Sequence, residues 1–203
     1  MIRIDFANTT DLCSNALLGL FRDGAAGWSL RPITVRVRYS RGADFSGTCF
    51  YGERRIYVNV GRHVVYPYSM GTNLARAKSI GRRWYKPIYT IELGSGYELA
   101  VFVFMHELYH LLVKRARRNT RQKESMCDRF AAKFVVSRFG STVRDERGTV
   151  MSPSMWDYQD VEGFVAAARD RRAARRPVAR NREQAAREVA KRPDGGQLLL
   201  FDT

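Results

Sequence analysis

Hydrophobic and polar positions alternate cleanly in one stretch. In Ile33-Thr34-Val35-Arg36-Val37-Arg38-Tyr39 the apolar side chains fall on one face and the arginines on the other, which predicts a half-buried strand. Arg55–Val60 and Ile88–Leu93 predict two more strands. Residues 40–50, with Gly and Ser, read as a loop or a short strand, and residues 61–86 read as irregular. The period changes to that of a helix elsewhere. Leu12, Ala16, Leu17, Leu20 and Phe21 follow the cap-rich Asn8-Thr9-Thr10-Asp11 and stop at Gly24, predicting an amphipathic helix over a sheet. Ser95-Gly96-Tyr97-Glu98 has the S-x-x-E form of a capping box before an apolar run from Leu99 to Val113. A further helix is predicted from Thr120 to Ser137. Another starts near Ser154, with Pro153 outside it, and packs through Trp156, Phe164 and Val165. The order of elements predicts an α+β domain with its site between sheet and helices.

The long apolar helix carries His106-Glu107-Leu108-Tyr109-His110, an H-E-x-x-H sequence. Positions i and i+4 share a helix face, so both imidazoles can reach one metal ion, and Glu107 is placed as the general base toward a water activated there. Downstream, Glu124 and Asp128 are also i and i+4. One carboxylate can complete a His, His, Glu set, and the other can hydrogen-bond a ligand imidazole. An exposed acidic pair on a basic helix is the plainer alternative.

This pattern resembles the gluzincin metallopeptidases. Glu124-x-x-Cys127-Asp128-x-Phe130-Ala131-Ala132 is similar to the second-helix signature of the ImmA/IrrE-type zinc peptidases, E-x-x-A-[ND]-x-F-A. The resemblance spans about residues 95–137 and implies Zn²⁺ on His106, His110 and Glu124, with Glu107 as catalytic base and a small zincin-like domain. It also implies that an extended substrate binds by strand addition at an edge strand beside the site, a part that the Ile88–Leu93 strand is permitted to play. Cys127 departs from the signature, and on that helical face it can compete for metal. Tyr109, His63 and an arginine of residues 61–86 are the candidates for stabilising an oxyanion.

Charge changes the picture further. The 203 residues carry a formal net charge of +15, which points to a polyanionic partner, nucleic acid ahead of membrane. Lys114, Arg115, Arg117, Arg118, Arg121 and Lys123 lie between the two motif helices, and aromatics are mixed with cations in residues 61–86. Residues 165–193 hold ten cations against three acids, among them Arg171, Arg172, Arg175 and Arg176, and read as a solvated tail suited to a DNA or RNA backbone. Three dispersed cysteines form no disulfide framework and no stretch reaches membrane-span length, so a cytoplasmic, nucleoid-associated protein is expected.

The organisation expected is therefore a domain over 1–165, a basic linker over 166–196 and a docking peptide over 197–203. Gln197-Leu198-Leu199-Leu200-Phe201 resembles the clamp-binding pentapeptide of bacterial replication and repair proteins, which implies docking of Gln197, Leu198, Leu200 and Phe201 on the sliding clamp. Leu199 stands where a small polar or acidic residue is usual. A zinc endopeptidase acting on DNA-bound or crosslinked proteins follows, similar in logic to SprT/Spartan proteases. Those use a third histidine, and this chain has none after His110. A regulatory ImmA/IrrE-type peptidase cleaving a repressor or antitoxin on a mobile element is one alternative. A non-catalytic zinc-containing DNA- or clamp-binding protein is the other.

Overall fold

The computed structural model describes residues 2–28, 30–119, 123–156 and 163–165. Its elements run β1 (Ile4–Asn8), α1 (Ser14–Ala25), β2 (Ile33–Tyr39), β3 (Phe45–Phe50), β4 (Arg55–Val60), β5 (Tyr68–Thr72), β6 (Lys78–Ile80), β7 (Arg83–Tyr85), β8 (Tyr89–Leu93), α2 (Gly96–Arg115), α3 (Glu124–Phe139), β9 (Thr142–Arg144) and α4 (Pro153–Trp156). The fold is mixed α/β. No helix among the described residues is long and apolar enough to cross a membrane.

The alternation in β2 and β4 builds the larger sheet, ordered β1-β2-β4-β3. Val35 pairs with Ile56 and Val37 with Val58 in parallel register, and all four are buried. Their common face is covered by α1 and α2, where Phe21 stacks on Phe104 at 4.2 Å between ring centroids. Strand β3 runs antiparallel to β4 and forms the edge nearest α2. A second, antiparallel sheet is ordered β5-β8-β9, and β6 and β7 make a separate hairpin.

Helix α2 is the centre of this arrangement. It is apolar all round, as a helix packed on every side must be, and Leu99 to Met105 are all buried between the sheet, α1 and α3. Its start is the anticipated capping motif. Ser95 Oγ accepts from Glu98 N at 3.3 Å, while the Glu98 carboxylate accepts from Gly94 N at 2.9 Å, one residue earlier than the reciprocal bond of a standard box. Its end is set by Arg117, whose positive φ of 56° turns the chain so that Arg118 N donates back to Val113 O.

Several expectations are corrected. Strand β1 was unforeseen; it is held by its parallel pairing with β2 rather than by its own pattern. For residues 40–50, read as a loop or a short strand, the strand is the one found, β3. Residues 61–86 are not irregular throughout, since Tyr68–Thr72 pairs with β8 and β6–β7 follows. Helix α1 begins at Ser14, later than the cap-rich cluster, because Asn8 uses its side chain to close the preceding turn, donating to Leu12 O at 2.7 Å and accepting from Thr10 N at 2.9 Å. Helix α3 has Lys123 as its cap and Glu124 as its first residue. Helix α4 starts at Pro153, not after it, since a helix's first N–H needs no partner. Phe164 and Val165 pack on the core as expected. The basic tail with Arg171, Arg172, Arg175 and Arg176, and the terminal Gln197–Phe201, lie outside the described residues.

Candidate metal centre

The two motif helices meet side by side, the most extensive helix contact of the fold. The spacing of His106 and His110 puts both rings on the face of α2 that looks at α3, with centroids 5.0 Å apart. Glu124 on the first turn of α3 reaches both. Its two oxygens lie 3.1 Å from His106 Nε2 and 3.4 Å from His110 Nε2. One turn further along α3, Asp128 is buried and holds the other nitrogen of His106, Nδ1, at 2.8 Å. Asp128 is itself held, because its second oxygen accepts from the backbone N of Asn73 at 2.6 Å and from Asn73 Nδ2 at 3.1 Å. The carboxylate thus presents His106 with Nε2 free to face Glu124, which is how an imidazole ligand is oriented in a metal site.

The electrostatics follow from this packing. Burial opposes the charged form of His106, but hydrogen bonds to Asp128 and Glu124 outweigh it and push the ring up to about 10. His110 moves the other way, pulled down by burial and by the neighbouring His106 charge. Hydrogen bonding to His106 holds Glu124 below the usual carboxylate range against a smaller burial effect. A dense knot of a charged His106 ring, a His110 ring pushed toward its neutral form and the Glu124 carboxylate is what a divalent ion would bridge with direct bonds. His110 Nδ1 is buried with no hydrogen-bond partner among the described residues, a polar atom in search of one. The donor set of two imidazoles and a carboxylate suits zinc.

Glu107 lies on the sheet side of the same helix. Burial raises its carboxyl to about 7, with His106 lowering it and Glu124 raising it. It can lie there because the facing strand carries Gly47. A Cβ at that position would come within 2.3 Å of Glu107 Oε1 and 2.7 Å of its Cγ, so only glycine leaves room for the carboxylate. A cleft of about 260 Å³ opens between β3, β5 and α2, bounded by Phe45, Gly47, Met70 and Phe102 and floored by His106, Glu107, Glu124 and Asp128.

The other candidates lie elsewhere. Tyr109 is fully buried against Phe130, with ring centroids 4.9 Å apart, and does not border the cleft. His63 is exposed and borders a different hollow beside Tyr39 and Asp44. Neither is placed to stabilise an oxyanion in the cleft. Arg115 and Arg117 are exposed at the end of α2, while Arg118 is half-buried with its guanidinium over the Phe164 ring at 4.6 Å. Gly47 and Asn73 were not anticipated. Nothing local in the sequence marks either, since each acts on a partner distant in the chain. Cys127 is buried beside the histidines: its Sγ and one nitrogen of each ring lie within 4.8 Å of one another.

No known protein family matches the sequence, and neither curated proteins nor solved structures yield a match.

Proposed function

We propose that the protein is a zinc-dependent endopeptidase acting on protein substrates near DNA. The observation that carries this reading is the convergence of His106 Nε2 and His110 Nε2 on Glu124, with Glu107 lining the same cleft as His106 and Glu124. His106, His110 and Glu124 would hold the ion. Zinc there supplies Lewis-acid activation of water and of the scissile carbonyl.

The chain's own groups do the rest. Glu107, with a carboxyl raised to about 7 by burial, is ionised in part at neutral pH and strong enough as a base to take the proton of the attacking water. The same carboxyl then returns a proton to the leaving amine. Asp128, anchored by Asn73, keeps the His106 ring from turning. Strand β3 is the sheet edge bordering the cleft, and its unpaired side suits an extended peptide laid along it as an added strand. Phe45, Met70 and Phe102 give that cleft apolar walls that would exclude bulk water from the bond being cut. Association with DNA is supported by the net charge of +15 and by the terminal segment's resemblance to a clamp-binding peptide.

Metal analysis of the purified chain, followed by cleavage of an unfolded protein substrate with and without chelator, tests the reading. Glu107→Gln should retain zinc and lose at least about 100-fold in rate. Full activity in that variant, or activity indifferent to chelator, would refute it.

A further inference from the structure

The thiol of Cys127 is the one donor in this centre that the proposed reaction leaves unused. Cys127 and Glu124 are three residues apart on α3, so both reach toward α2 from successive turns. Their surroundings differ. Cys127 is fully buried, whereas the Glu124 side chain is 56% exposed. Glu124 is also the first residue of its helix, and Lys123 before it makes no side-chain capping bond. First turns without caps fray readily. The oxygen donor therefore sits on the wetter turn and the sulfur donor on the dry one.

We propose that Cys127 is a ligand of the ion held by His106 and His110, exchanging with Glu124 at the third protein position. The proposal rests on the metal centre described above and adds to it the class of ion the centre takes. A sulfur donor beside two imidazoles favours zinc, cobalt and cadmium over magnesium and manganese. When sulfur binds, its S–H bond breaks and the proton passes to the Glu124 carboxylate as that group leaves the ion, and from its exposed position Glu124 gives the proton up to solvent. Cys127 Sγ and one nitrogen of each ring already lie within 4.8 Å of one another.

Cobalt(II) titration of the full chain, followed by absorption, tests this. A sulfur ligand gives an intense near-ultraviolet charge-transfer band, whereas imidazole and carboxylate alone give weak visible bands. The wild-type protein should show the near-ultraviolet band at one equivalent, and Glu124→Gln should keep it. Cys127→Ala should keep the visible bands, lose the near-ultraviolet one and bind zinc at least about 10-fold more weakly in chelator competition. The double variant Cys13→Ser, Cys49→Ser leaves Cys127 as the sole thiol and must retain the band, which decides the matter even if Cys127→Ala does not fold. Cobalt bound without that band, or a band that survives Cys127→Ala, overturns the proposal while leaving the metal centre standing. Failure of the wild-type chain to bind cobalt or zinc at all overturns both.

Discussion

Glu107 is a carboxyl group whose usefulness to chemistry opposes the stability of the fold. In an unfolded chain it ionises near 4.5, and in the folded protein burial moves that to about 7. The folded state therefore holds the proton more tightly, and folding weakens as pH rises between those values. Glutamine at this position carries no such penalty. In chelator, the wild-type protein should lose about 3 kcal/mol of stability relative to Glu107→Gln between pH 4.5 and pH 7.5. Urea unfolding of both proteins at the two pH values measures it, and a pH-independent gap would mean that the carboxylate is well solvated. Asp128 acts through His106, so Asp128→Asn should weaken zinc binding about 10- to 100-fold with the fold intact, as read by competition with a chromophoric chelator. At this scale the sequence was most legible where partners lie on one helix face. His106, Glu107 and His110 are related by helix geometry alone, and Glu124 and Asp128 by the same rule on a second helix. Gly47 and Asn73 were hidden because their partners, Glu107 and Asp128, are distant in the chain.

Among the elements, the edge strand β3 has the most direct bearing on the site. Its glycine faces the Glu107 carboxylate, and the nearest atoms of that side chain would have to move if a methyl group were added. The atoms that yield belong to a flexible side chain, so the fold tolerates the change and the chemistry does not. Gly47→Ala should lower peptidase activity about 100-fold, with zinc content kept and thermal stability little altered. Calorimetry beside the activity measurement separates this outcome from simple misfolding. Elements with a pattern of their own, such as the alternation of β2 and the capped apolar run of α2, could be read from the sequence, and β4 and β8 with them. Strands β1 and β5 could not, since each is held by pairing with a strand elsewhere, and β3 stood open between loop and strand. The start of α1 was misplaced because Asn8, a good capping residue, closes a turn at the end of a strand instead.

On the scale of the whole molecule, charge dominates. A net +15 on 203 residues should give DNA binding that is tight at low salt and steeply salt-dependent. Between 50 and 200 mM salt, affinity should fall by about 10³-fold or more if at least six phosphates are contacted, measured by fluorescence anisotropy with a labelled oligonucleotide. A flat salt response would remove the case for a nucleic-acid partner. Composition made this expectation readable without any structure. The described residues add where some of the cations sit. Lys78, Arg82, Arg83 and Lys86 all lie on or beside the β6–β7 hairpin, with Trp84 75% and Ile80 68% exposed. Asn73 stands where the chain leaves β5 toward that hairpin, and Lys86, on the return, is close enough to feel the charge of Asp128. The peptide that steadies Asp128 is thus also where the chain sets out toward the exposed β6–β7 hairpin. The ring of His106, through Asp128, and the base of that hairpin therefore share one mooring, the backbone of Asn73.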